Sequence, residues 1–318
     1  MTDRIETVAP GTWNDLLERS GQATPFHRSE LLERCAVAVG ARLYRYVGYK
    51  GQQPTGLFPV LALRRGATAV ALSPPPGVVP YGGPALLGPD GLKRRKRERW
   101  NRSFVESVLE RVEEDVDPDY WQLRTSPAYD DERPFVWNDF DAAVRHTYVV
   151  GLPDEKRLEA LDPVERPGAR VTETDGPAGD VLGLIADRYA DHRGTLTPEP
   201  PLLRSLYRVL PDGCMRVYAC RDGDRLVGAE VTLELGDTVY GWLGATDTSA
   251  AGAEDLLYDR LLRDAVRRGY TEYDLLGTED PRVFRHRAEL GAELRSSVRL
   301  VRGGPVSRLT ARLCGLAP

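Results

Sequence analysis

Asp274 stands in the run Tyr273-Asp274-Leu275-Leu276-Gly277, a carboxylate among residues that read as a buried strand. Out of water such a group must accept hydrogen bonds or hold its proton more tightly, and either state suits contact with an amine or service as a general base. The same bonds would equally serve to fix a neighbouring loop. Arg188, Tyr189, His192 and Arg193 form a second cluster, brought to one face by their spacing on a helix predicted over 180–192. Arginine's planar fork grips carboxylates and phosphates, and histidine moves protons near neutral pH, although a solvated helix end accounts for the same residues.

Further candidates for substrate binding are Trp242, Tyr81 in Pro80-Tyr-Gly-Gly-Pro84, Arg124 at the end of Tyr120-Trp-Gln-Leu-Arg124, and Arg285 with His286 beyond Gly277. Ala251 and Gly252 open a helix whose free amides suit a phosphate. Glu254 and Asp255 follow in its first turn, where plain capping is the competing reading. Competing chemistries find little footing. No Ser-His-Asp or dinucleotide motif is present, the four cysteines (35, 214, 220 and 314) form no Cys-x-x-Cys pair, and no histidine sits at metal-ligand spacing, so no metal site is expected. The basic run Lys93-Arg-Arg-Lys-Arg97 would suit a tRNA or anionic surface, but a solvated helix face with Glu106, Glu110, Glu113 and Glu114 at its far end is the competing reading, and a net charge of -5 argues against a dedicated nucleic-acid binder.

These residues are carried by elements that occur twice. A shift of 172 residues aligns 46–63 with 218–235 without gaps, matching Tyr46 to Tyr218, Gly51 to Gly223 and Gly56 to Gly228. Each segment reads as a hairpin turning at Gly51 or Gly223, with a bulge or close backbone approach expected at Gly56 and Gly228. A third strand (67–72; 237–245), an amphipathic helix (92–114; 253–268) and a fourth strand (119–125; 271–277) follow in both copies. A strand-helix-strand crossover of this length places its two strands parallel. Each copy is expected to close with an aromatic segment (134–140; 282–290) and its own last strand (145–151; 294–301). Pro- and Gly-rich residues 153–178 are the expected linker, which gives lobes at 1–152 and 179–318.

This element order, with Tyr81-Gly-Gly-Pro84 in the first copy and Tyr273-Asp-Leu-Leu-Gly277 in the second, resembles the GNAT superfamily, and its duplication resembles the Fem-type peptidoglycan aminoacyltransferases. The resemblance implies an α/β fold of mixed sheets in two tandem GNAT-like lobes. It also implies transfer of an acyl group from acyl-CoA or aminoacyl-tRNA, as co-substrate rather than bound cofactor, to an amine. The acceptor would be a small molecule or a cell-envelope precursor, with tRNA a possible partner. The reacting group would lie where the third and fourth strands of the second lobe diverge. Two departures stand against it: Thr248-Ser-Ala-Ala-Gly-Ala253 replaces the usual phosphate-binding signature, and prolines break the region where relatives carry a basic helix. The alternative is a non-catalytic GNAT-like ligand-binding protein. With neither a leader pattern nor a membrane-length apolar run, the expected location is the cytoplasm, and the oligomeric state stays open.

Overall fold

The computed structural model describes residues 2–77, 79–88, 92–153, 158, 162–190, 199–276 and 291–316. The chain divides into two compact units, one of residues 1–145, 193–196 and 296–318, the other of 146–192 and 197–295.

The first unit opens with β1 (Arg4–Thr7), α1 (Pro10–Leu17) and α2 (Ser29–Val39), then forms the hairpin β2 (Arg42–Lys50) and β3 (Gln53–Arg65). β4 (Thr68–Ser73) follows, then β5 (Ala85–Leu86), which pairs with β3. The long helix α3 (Arg94–Val116) crosses over to β6 (Tyr120–Arg124), parallel to β4 as expected, and α4 (Arg133–Val136) comes after it. Trp100, Phe104, Val105, Val108 and Val112 of α3 fall on one face and meet Tyr46, Phe58, Trp121 and Phe135 in the core. Cations in the first turn of α3 oppose the helix dipole, and Glu98 compensates by binding the Arg94 guanidinium at 3.0 Å.

The second unit repeats the order. β8 (Ala169–Glu173), α5 (Gly179–Tyr189) and α6 (Pro200–Val209) precede the hairpin β9 (Met215–Asp222) and β10 (Arg225–Leu235). Then come β11 (Thr238–Thr246), α7 (Ala253–Arg267) and β12 (Glu272–Asp274), with β12 parallel to β11. The duplication is wider than the 172-residue shift discloses, because β8 lies on β9 as β1 lies on β2. β8 falls inside the expected linker; an edge strand this short, flanked by proline and glycine, leaves little periodic signal.

One expectation is corrected. Each copy does not close with its own last strand. In β7 (Asp141–Gly151), residues 149–151 pair with β12 of the second unit. In β13 (Glu293–Gly303), residues 299–303 pair with β6 of the first. Sequence pattern identifies both strands but carries no information on which β-edge they complete, since either edge accepts an antiparallel strand.

Glycines of both hairpins stand where neighbouring side chains come close. A Cβ at Gly48 or Gly56 would sit 2.6 or 2.9 Å from the Phe104 ring, and one at Gly228 would meet Cys220 and Thr246 at 3.3 Å. Gly228 also follows a register shift in the β9/β10 pairing. Gly48→Ala is expected to cost about 1–3 kcal/mol by overpacking against Phe104, read as a lower urea midpoint.

Candidate functional site

The two units, alike in design, differ at the end where their crossover helices begin. In the second unit β12 meets β11 over three pairs only, Thr238 to Glu272, Val239 to Tyr273 and Tyr240 to Asp274. β11 runs on to Thr246, held by β10 alone among the described residues, with a bulge in that pairing at Val231/Thr232. β12 meanwhile stays with β7, the Leu275 amide donating to the Tyr148 carbonyl at 2.8 Å. The two parallel strands therefore part beyond Tyr240 and Asp274, and the stretch of β11 that follows, with no strand beside it on that side among the described residues, carries peptide groups able to receive an extended chain or a carbonyl.

Asp274 is what turns the chain out of β12. Its Oδ1 accepts the Thr147 hydroxyl at 2.5 Å and the Leu276 amide at 3.0 Å, and Leu276 takes the left-handed conformation (φ 41) that a branched residue adopts only under constraint. Trp242 is buried at the bulge of β11, where Thr232 faces Gly241 and Val231 faces Leu243. The pKa of Tyr240 beside them is pushed up, chiefly by burial and then by the Asp274 charge.

Sequence reasoning does not single out Glu230, which is 3% exposed in the middle of β10. Its carboxylate lies over two glycines of β11: a Cβ at Gly244 would meet Glu230 Oε2 and one at Gly241 would lie 3.0 Å from Oε1. The Tyr273 hydroxyl is 2.9 Å from that same point above Gly241. Carboxylate and phenol thus converge where β11 leaves β12. The signal is available in the repeat itself, since Tyr218 pairs with Glu230 as Tyr46 pairs with Phe58. A glutamate stands where the other copy buries a phenylalanine.

In the first unit the corresponding cleft is closed. β4 pairs with β6 through Ser73 and Leu123, and the Gly82 amide then donates to the Arg124 carbonyl at 2.9 Å, so the Pro-Tyr-Gly-Gly-Pro loop fills the place of the gap. Tyr81 is fully buried, edge-on to Phe26 and beneath the Arg124 guanidinium, 5.8 Å from its ring centre. His27 holds this loop: Nδ1 accepts the Thr24 amide at 3.2 Å and Nε2 donates to the Gly83 carbonyl at 3.3 Å. Burial lowers its pKa to about 4.

The remaining candidates scatter. Arg188 and Tyr189 end α5, where Arg188 is exposed and its charge complements the helix C-terminus. His192, Arg193, Arg285 and His286 lie outside the described residues. Ala251 and Gly252 are exposed at the start of α7, with Gly252 left-handed (φ 75) and Glu254 and Asp255 in the first turn. Cations do reach this loop. Arg166 approaches the Ala250 carbonyl at 3.4 Å, and Arg225 binds Asp247 and Ser249.

Residues 154–284 match the family model described as an acetyltransferase (GNAT) domain. No curated protein matches the chain. Among solved structures the fold is shared with FemX, at a TM-score of 0.70 and 10% identity over 96% of this chain and 99% of that one. It is shared also with the C-terminal domain of a putative lysylphosphatidylglycerol synthetase from Agrobacterium fabrum, at 0.55 and 11% over 95% and 94%. A tandem GNAT protein from the clavulanic acid biosynthesis pathway scores 0.53 at 15% identity over 95% and 99%. The chain has a Fem-like tandem GNAT fold. Among the described residues no helix is long and apolar enough to cross a membrane.

Two outcomes follow from the geometry. Asp274→Ala strands the Thr147 hydroxyl and the Leu276 amide, and is expected to lower stability by roughly 2–4 kcal/mol in urea unfolding, with Asp274→Asn, which keeps an acceptor oxygen, costing less. His27 is neutral in the fold and protonates more readily when unfolded. Its contribution is complete above pH 6.5 and is lost as the pH falls from 6.5 towards about 4, an amount on the order of 3 kcal/mol by linkage. Stability of His27→Gln should therefore fall less steeply than that of the parent between those pH values.

Proposed function

We propose that this chain transfers an acyl or aminoacyl group from an activated donor, acyl-CoA or aminoacyl-tRNA, to an amine, and that the second unit alone houses the reaction. The parting of β11 from β12, set against the closed counterpart in the first unit, is the observation that supports this most. The match to a GNAT acetyltransferase domain falls on the same unit and supports acyl transfer. The name of the Agrobacterium neighbour, a putative lysylphosphatidylglycerol synthetase, lends weight to the aminoacyl branch, and the Fem-type resemblance implies a cell-envelope precursor as acceptor.

In this reading the donor's acyl carbonyl lies against the edge of β11 that has parted from β12, whose peptide N–H groups stabilise the oxyanion as the amine adds. The new C–N bond forms while the C–S or C–O bond to the donor breaks. Glu230 accepts the proton that the ammonium loses, directly or through one water, and the Tyr273 hydroxyl supplies a proton to the departing thiolate or ribose oxygen. Asp274 acts through the chain: it keeps the strands apart. Arg166 and Arg225, near residues 247–252, would meet the donor's phosphates. Glu254 and Asp255 weigh against a pyrophosphate seated on the α7 amides themselves.

Incubation with labelled acyl-CoA and aminoacyl-tRNA panels and an amine panel tests the reading. Turnover is expected with one donor class, falling about 10²–10⁴-fold in Glu230→Gln at an unchanged urea midpoint. A folded protein inactive with every donor, or a Glu230→Gln variant as active as the parent, would refute it.

A further inference from the structure

The helix α8 (Pro305–Leu313) has its large and small residues on the wrong sides for a helix that faces only water. Ser307 and Ala311 are turned inward, and α8 lies close enough to the sheet that a Cβ at Gly303 would meet Ser307 Oγ at 2.9 Å. Val306, Leu309 and Leu313 point outward, 78%, 58% and 80% exposed, and they are three of the nine large hydrophobic residues exposed among the described ones. At 100° per residue these three fall within an arc of about 60°, opposite Ser307 and Ala311. Arg312 lies on one flank of the stripe, while Arg308, a turn earlier, lies further round towards Ala311 and donates to the Gly303 carbonyl at 2.7 Å.

The charges this segment itself carries are of one sign. From Ser296 to Pro318 the chain has arginine at 299, 302, 308 and 312 and neither aspartate nor glutamate, within a protein of net charge -5. Arg302 binds Glu113 and Arg308 binds Asp141, while Arg312 is exposed and has no ion pair among the described residues. A short outward aliphatic ridge with an exposed arginine on its flank, on a segment free of acidic residues, matches the boundary of an anionic bilayer, with the ridge among the upper acyl carbons and the Arg312 guanidinium at the phosphates. A second copy of the chain fits less well. Three aliphatic side chains fall well short of the roughly 800 Å² per partner that stable protein interfaces bury, and two such helices would bring arginines face to face.

We propose that α8 docks the protein reversibly on anionic lipid surfaces through Val306, Leu309 and Leu313, with Arg312 against the headgroups. Flotation of the full chain with vesicles of phosphatidylglycerol mixed with phosphatidylcholine, against phosphatidylcholine alone, tests this. Partition is expected onto the mixed vesicles only, to weaken as salt rises, and to drop at least tenfold both in Leu309→Glu/Leu313→Glu and in Arg312→Glu, whose exposed positions leave thermal unfolding unchanged. Absence of partition for the parent, equal partition onto both vesicles, or variants that float like the parent would each overturn the proposal. So would light scattering that finds a dimer abolished by Leu309→Glu/Leu313→Glu, since a second copy would then cover the ridge.

Discussion

Everything that distinguishes the second unit turns on where one parallel pairing stops. Three residue pairs join β11 to β12, and the pairing ends because β12 has a better continuation elsewhere: Leu275 bonds to Tyr148 of β7, while Asp274 folds its own carboxylate back onto the Leu276 amide. A strand held on one side by an antiparallel neighbour and at its end by an aspartate turn cannot follow β11 any further. β11 for its part is fixed by eight residues paired to β10 and gains an extra residue at its bulge, which increases local twist. The gap is a product of two strong pairings pulling in different directions.

The first unit supplies the control. It has the same edge strand, hairpin, crossover helix and fourth strand. There β4 and β6 stay paired to the end of β4, and the space beyond is taken by the loop that His27 secures through Gly83. Phe58 fills the core where the second unit has Glu230, and its ring packs edge-on to Phe135 at 6.1 Å. A duplicated scaffold has thus kept its architecture in both copies while the means of opening a cleft, and the carboxylate beside it, are found in one.

How much of this the residues disclose depends on the range of the interaction. Periodicity and turn glycines place the hairpins, both crossover helices and the parallel strand pairs within a few residues, because each rests on local pattern: the pattern puts a helix at 92–114 and Arg94–Val116 is found, and a strand at 237–245 where Thr238–Thr246 is found. The ownership of β7 and β13 rests on pairings between residues more than a hundred apart and leaves no local trace. Tyr81 illustrates the same limit within a loop. Its glycine neighbours advertise an open backbone, yet Phe26 and Arg124, both distant in sequence, enclose its ring. Asp274 is legible as a buried carboxylate needing partners, though not that one of those partners is the turn that parts the strands.

Among the described residues three carboxylates are buried in the sheet of the second unit, and their surroundings separate their roles. Glu234, near the start of β11, receives the Arg216 guanidinium at 3.0 Å, Arg268 at 2.6 Å and the Tyr270 hydroxyl at 2.6 Å; burial, and then the bond to Glu234, pushes the Tyr270 pKa up to about 12. Two cations and a phenol make it a fixed anion, joining the end of α7 to β10 rather than exchanging protons. Asp274 has its Oδ1 engaged in the turn. Glu230 lies further along the β10/β11 pairing from Glu234, past the last residue that β11 shares with β12, and its carboxylate rests on glycines that leave room for nothing larger above them. Of the three, it is the one whose position coincides with the opening. A side chain substituted at Gly241 or Gly244 would have to displace it, so the spacing Gly-Trp-Leu-Gly in β11 and the glutamate in β10 are one requirement written on two strands.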